Sequence, residues 1–154
     1  MKSRTMLLGV CALAVGMVPA RGDEAMDIAK KVTSEGASMI SAKDLEAIVR
    51  TYAEDSQVEL ISRNDATGGL KRDQHTGKGE IRKLYQELFK TDGSINARNV
   101  VETARFVGPD LLLITGTFEA SAGGNSSVFP FVQVRTKRDG AWLLTHVQIF
   151  TGGN

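Results

Sequence analysis

Two side chains near the C-terminus, His146 and Gln148, carry the most suggestive chemistry in the sequence. An imidazole titrates close to neutrality and so suits general acid or base work. The two residues sit in Gly140 to Phe150, a run that reads as the last β-strand. Side chains alternate across a strand, so Trp142, Leu144, His146, Gln148 and Phe150 share one face of a regular strand. Ala141, Leu143, Thr145, Val147 and Ile149 share the other. The first face mixes aromatic bulk with hydrogen-bonding groups, as the wall of a ligand pocket does. The second is almost entirely apolar. Parity therefore predicts Trp142, His146 and Gln148 inside and an aliphatic stripe of Leu143, Val147 and Ile149 outside.

The elements that must position such a wall follow from the rest of the chain. Residues 1–20 combine a basic start, an apolar run from Thr5 to Val18 and the small-residue site Val18-Pro-Ala20, the pattern of a cleaved secretory signal. The run is shorter than the about 20 apolar residues of a membrane span. The expectation is an exported protein, periplasmic or extracellular, whose mature chain starts at or near Arg21 and has no membrane association after cleavage. Removing Lys2, Arg4 and Cys11 with the leader leaves seventeen basic against eighteen acidic residues and no cysteine. Thiol chemistry, disulfides and thiolate metal sites are thereby excluded. A near-neutral chain without a basic stripe also argues against nucleic acid as a partner. With only His75 beside His146, a metal site of three or four nitrogen or sulfur ligands cannot be assembled. No cofactor is expected.

Residues 21–154 read as one domain. Apolar residues at helical spacing predict a helix from Glu24 to about Ser41, interrupted or closely packed at Gly36. Ser41-Ala-Lys-Asp44 resembles a capping box opening a second helix, on which Leu45, Ile48, Val49 and Tyr52 share a face. A short strand, Gln57–Ile61, precedes a polar loop from Ser62 to Thr76. Ile81, Leu84, Tyr85, Leu88 and Phe89 mark one face of a third helix, Lys78 to about Lys90. Strands over Asn96–Val107, Leu111–Ala120, Ser127–Lys137 and Gly140–Phe150 follow, joined by Gly-Pro, Gly-Gly and Asp-Gly turns. Pro130 cannot donate to a ladder and marks an edge or a bulge.

This order is α+β, and particular stretches resemble the nuclear transport factor 2-like, or SnoaL-like, superfamily. They are Lys43-Asp-Leu-Glu-Ala-Ile48 with Tyr52-Ala-Glu-Asp55, Gly77-Lys-Gly-Glu-Ile81, and Gly140-Ala-Trp142 with His146. The resemblance implies a cystatin-like cone, a strongly curved, mainly antiparallel sheet rolled around three N-terminal helices. The last strand also resembles that of calcium/calmodulin-dependent kinase association domains, which ends Trp-x-x-x-His-x-His; here Gln148 replaces the second histidine. The superfamily's steroid isomerases use an aspartate base, an aspartic acid and a tyrosine, and the matching positions hold Leu60, Val132 and Gly36. Scytalone-dehydratase-like chemistry would require His75 to fold over His146, and an epoxide-hydrolase-like Asp-Arg-Asp set is not offered by the apolar strand faces.

Two functions remain. One is an exported module that binds a small, largely apolar ligand in its cone, or assembles through its sheet into a homodimer or larger ring. The other is an enzyme of isomerase, dehydratase or hydrolase type acting on a small organic substrate, with His146 as acid or base. In either case Tyr52, Tyr85, Phe89, Phe131, Gln133, Trp142 and Gln148 are expected to line the pocket.

Overall fold

The computed structural model describes residues 21–64 and 66–152. The leader predicted for residues 1–20 lies outside them. Across the described residues, α1 (Arg21–Ser41) and α2 (Leu45–Arg50) precede β1 (Tyr52–Arg63) and β2 (Leu70–Thr76), and α3 (Gly77–Phe89) separates these from β3 (Ile95–Gly108), β4 (Leu111–Ala122), β5 (Asn125–Arg138) and β6 (Ala141–Phe150). One open, mixed sheet has the strand order β2-β1-β6-β5-β4-β3, and the helices pack on its inner face. Only the β1–β6 pairing is parallel. The α+β class expected from the order of elements, and the cone that the resemblance implies, are what forms.

Several local expectations need correction. Gly36 does not interrupt the first helix, which runs unbroken to Ser41. The cap of α2 is Asp44 rather than Ser41; its carboxylate accepts the Ala47 N–H at 2.9 Å. Tyr52 is not helical but opens β1, a strand twice the length its alternating core suggests. Half of the polar loop is β2, paired antiparallel with β1 from Gln57–Thr76 to Arg63–Leu70. Its Lys, Arg, Asp, Gln and His residues hide the strand from a hydrophobicity pattern. They also suit a sheet edge, where charge blunts pairing with other chains.

Turn chemistry and close approach fix the meander. Asp139 and Gly140 both have positive φ, the conformation of a two-residue hairpin turn that matches sheet twist. A Cβ on Gly116 would collide with the Val100 carbonyl and crowd the Phe131 ring, so only glycine lets β3 and Phe131 meet across β4 there. Pro130 pairs with Thr117 of β4, while the β5–β6 ladder begins at Phe131. The proline thus sits in a central strand just beyond the end of its β6 ladder, an edge in the local sense.

Two clusters make the core. At one end Ala25 and Ala29 of α1 lie against Leu112, Ile114 and Phe131, with Phe106 and Trp142 closing the side. At the other, Ile40, Ile48, Val49 and Ile81 from the helices meet Val58, Leu144 and Val147 from the sheet.

Candidate functional site

Which side chains face the helices is decided by one residue of β6. Arg135 pairs with Leu144, but Val134 pairs with His146, so Thr145 is an extra residue in the ladder. This β-bulge is held by the Thr145 hydroxyl, 3.1 Å from the Val134 carbonyl, to which it donates, and 3.3 Å from the Thr136 hydroxyl. A bulge shifts the two-residue period by one. Leu144 therefore faces inward before it, and Val147 and Ile149 face inward after it, where they line a cavity. His146 and Gln148 turn to the outer face with Gln57 and Glu59, their partners on β1. There Glu59 accepts hydrogen bonds from Gln148 at 2.9 Å and from Gln57 at 3.2 Å.

The cavity lies between the inner sheet face and all three helices, and holds about 210 Å³. Its lining is apolar and aromatic: Ile40, Ile48, Leu84, Leu88, Phe118, Phe129 and Phe131 supply much of it. Gly36 on α1 leaves part of it open, since a Cβ built there would meet nothing within 4 Å.

A few polar groups converge on this apolar space. Tyr52 and Tyr85 hydroxyls are 2.8 Å apart. Burial, before any other cause, raises both phenols above their ordinary range, so both stay protonated at neutral pH. One O–H satisfies the other oxygen and the second remains free to donate. On β5, Phe129, Phe131, Gln133 and Arg135 alternate inward. Arg135 is 4% exposed and Gln133 8%. The guanidinium donates to the Gln133 side-chain oxygen at 3.2 and 3.3 Å and to the Trp142 carbonyl at 3.3 Å, all long contacts. Among the described residues it meets no carboxylate; every ion pair lies elsewhere. Burial lowers its pKa to about 10, partly offset by the tyrosine pair and by Glu35 on α1, yet it remains a cation at neutral pH.

Of the residues expected in the pocket, Tyr52, Tyr85, Phe131 and Gln133 line the cavity. Phe89 sits behind Tyr85, ring centroids 5.8 Å apart, and packs against the core cluster of Ile40, Ile48 and Ile81 instead. Trp142 stacks on Phe106 at the closed end of the cone and is not part of the lining. His146 and Gln148 are corrected outright, because the bulge sends them to the other side of the sheet. The expected outer stripe of Leu143, Val147 and Ile149 breaks for the same reason: Leu143, before the bulge, faces outward, whereas Val147 is 2% exposed and part of the inner core and Ile149 lines the cavity. A paired-histidine site does not form either. His75 pairs with Val58 and His146 with the preceding residue, Gln57, so the two rings start from opposite faces of β1. Of the positions matched to steroid-isomerase groups, Leu60 and Gly36 do line the cavity, whereas Val132 points out between the inward Phe131 and Gln133. Among the described residues no three His, Cys, Asp or Glu side chains gather as a metal site requires.

Arg135 is the residue that sequence reasoning missed. Its signal was available, since it continues the parity of Phe131 and Gln133 by one more step.

No curated protein matches the chain. Solved structures do, at low identity. An NTF2-like protein of unknown function from Shewanella oneidensis MR-1 is 16% identical with TM-score 0.64, over 82% of this chain and 98% of that one. Another, from Pseudomonas putida KT2440, is 12% identical with TM-score 0.66, over 88% and 92%. A putative calcium/calmodulin-dependent protein kinase II association domain from Xanthomonas campestris is 17% identical with TM-score 0.57, over 81% and 85%. At these identities the likeness is one of fold, the NTF2-like, cystatin-like cone seen from sheet order and helix placement above. The SnoaL-like domain matches residues 37–144, from near the end of α1 to the last residue before the bulge, and on that match the chain belongs to the SnoaL-like domain family.

Proposed function

We propose that this protein binds a small, largely apolar molecule in its cone. The observation that carries this reading is the cavity itself: about 210 Å³ lined by aromatic and aliphatic side chains, with a few polar groups at one place on its wall. An apolar cavity of about 150 Å³ accepts benzene, so one or two rings or a short alkyl chain fit here. The residue expected to act as acid or base, His146, stands on the outer face, and the lining holds no carboxylate or imidazole among the described residues. This favours binding over acid–base catalysis. The test is native mass spectrometry of the protein from its host, together with fluorescence of the neutral probe N-phenyl-1-naphthylamine. A retained small molecule, or probe emission that rises on binding, is expected, and Gly36→Phe removes it. A protein that carries nothing and leaves the probe dark refutes the reading.

The leader pattern sets this binding outside the cytoplasm, in the periplasm or the extracellular space. Met1 found intact on the exported protein would refute that. A homodimer through the outer sheet face is part of the same proposal, on a different stripe from the one parity suggested. Leu113 pairs with Val134, Val134 with His146, and Thr136 with Leu143, so half-buried apolar side chains run across three neighbouring strands. Leaving them wet is unfavourable. Sedimentation at tens of micromolar should give a dimer that Val134→Lys dissociates; a monomeric wild type overturns this part.

A further inference from the structure

We propose that the cone is built for an amphiphile with a carboxylate at one end, and that Arg135, assisted by Gln133 and the Tyr52–Tyr85 hydroxyl pair, receives that anion. The proposal rests on the binding reading above and adds to it the ligand's charge and orientation. A guanidinium has five N–H donors and matches the two oxygens of a carboxylate in a planar fork. Here the fork is buried against an apolar cavity with only three long hydrogen bonds, to one side-chain oxygen and one backbone carbonyl. Buried charges in proteins are nearly always paired. The carboxylate that stabilises this charge is Glu35, which acts through space and forms no ion pair.

The surroundings are donors too. Gln133 turns its oxygen toward Arg135, which leaves its amide N–H groups facing away from the guanidinium. The tyrosine pair keeps one O–H to give. A wall that presents N–H and O–H donors and one cation, and no anion, is complementary to an acceptor with negative charge. A neutral alcohol or amine would leave the cation unpaired. The desolvation of Arg135 is incurred on folding, before any ligand arrives, so an entering anion gains the attraction while facing an already stripped partner. The opposite end of the ligand would lie among Phe118, Phe129, Leu84 and Leu88.

The experiment compares a matched pair of one-ring probes, 4-phenylbutyrate and 4-phenylbutan-1-ol, by calorimetric titration into the wild type and Arg135→Met in low-chloride buffer at neutral pH. The expected result is roughly tenfold or greater preference of the wild type for the acid, lost in Arg135→Met while alcohol binding persists. Equal affinity for acid and alcohol, or a preference that survives in Arg135→Met, overturns the inference and leaves the apolar cone standing. If neither probe binds the wild type, both fall. Should Arg135→Met fail to fold, the wild-type comparison alone decides.

Discussion

One sheet and one helix build two different interiors. At the Trp142 end, α1 presents Ala25 and Ala29, both fully buried, and Leu112 and Ile114 fill the space opposite with no exposed surface. At the Tyr52 end, the same helix presents Thr33, Gly36 and Ile40, and the facing side chains leave a cavity. The small residues have opposite consequences. Alanines let large sheet side chains come up to the helix backbone and close the gap. Gly36 has no such neighbour, so its missing side chain becomes empty space. A small residue on a helix therefore says nothing by itself about close packing; what stands opposite decides. The closed end carries stability, and the hollow end carries an uncompensated charge that lowers it.

The largest contrast should come from mutating each end. Ile114→Ala at the closed end is expected to cost about 2–5 kcal/mol in urea unfolding, the range for truncating a buried aliphatic side chain. Arg135→Met at the hollow end is expected to move the other way, raising ligand-free stability by about 1–3 kcal/mol, since a well-packed apolar side chain replaces an unpaired buried cation. If Arg135→Met destabilises the empty protein, the view of that end as strained for function is wrong.

The same residue gives a pH dependence whose sign is fixed. Its folded pKa is lowered to about 10 from the higher value of an ordinary guanidinium, so between the two the unfolded chain holds the proton more tightly than the folded one. Stability from this group rises as pH goes above about 10, and its full cost is present below 10. The stability advantage of Arg135→Met should therefore be flat from pH 6 to 9 and narrow above 10. Tyr52, Tyr85 and Glu35 face or reach Arg135 and are present in both proteins; burial is the main cause that raises both phenols, and attraction to Arg135 is a smaller, opposing one that Arg135→Met removes.

Smaller effects sharpen the comparison. Gly36→Ala should stabilise by up to about 1 kcal/mol through helix propensity, because its Cβ enters open space. The same substitution at a glycine in the sheet, Gly116→Ala, should destabilise, given the Val100 carbonyl in its path. Smallest of all is His146→Ala. It should leave probe binding unchanged and shift thermal unfolding little, since the ring is half-buried on the outer face. A large loss of binding in His146→Ala would show that the bulge does not hold in solution.

Much of this architecture was legible in the sequence. The apolar spacing on α3 and the Asp-Gly and Gly-Gly turns of the meander marked the elements, their order marked the α+β class, and the resemblance to the SnoaL-like superfamily implied the cone. β2 was not legible, because Leu70-Lys-Arg-Asp-Gln-His-Thr76 lacks an apolar face and pairs by backbone alone at the sheet edge. The site was half legible. Phe131 and Gln133 follow from strand parity, and so would Arg135. The error in β6 came from applying parity across Thr145, where no glycine or proline marks the bulge. Its hydroxyl contacts to the Val134 carbonyl and Thr136 depend on the neighbouring strand, which sequence position alone does not supply.

That bulge acts on side chains as an inserted nucleotide acts on codons: everything downstream is read in the other frame. Deleting Thr145 would remove the extra residue and keep the shifted frame: Leu144, Val147 and Ile149 stay on the cavity wall, and His146 and Gln148 stay outside. Losing the bulge at constant length is the change that would bring the imidazole in, and Thr145→Val, which removes the hydroxyl that holds it, tests for that. The imidazole proton resonances should stay unmoved by cavity probes in the deletion variant as in the wild type, and a response in Thr145→Val would report the exchange of faces.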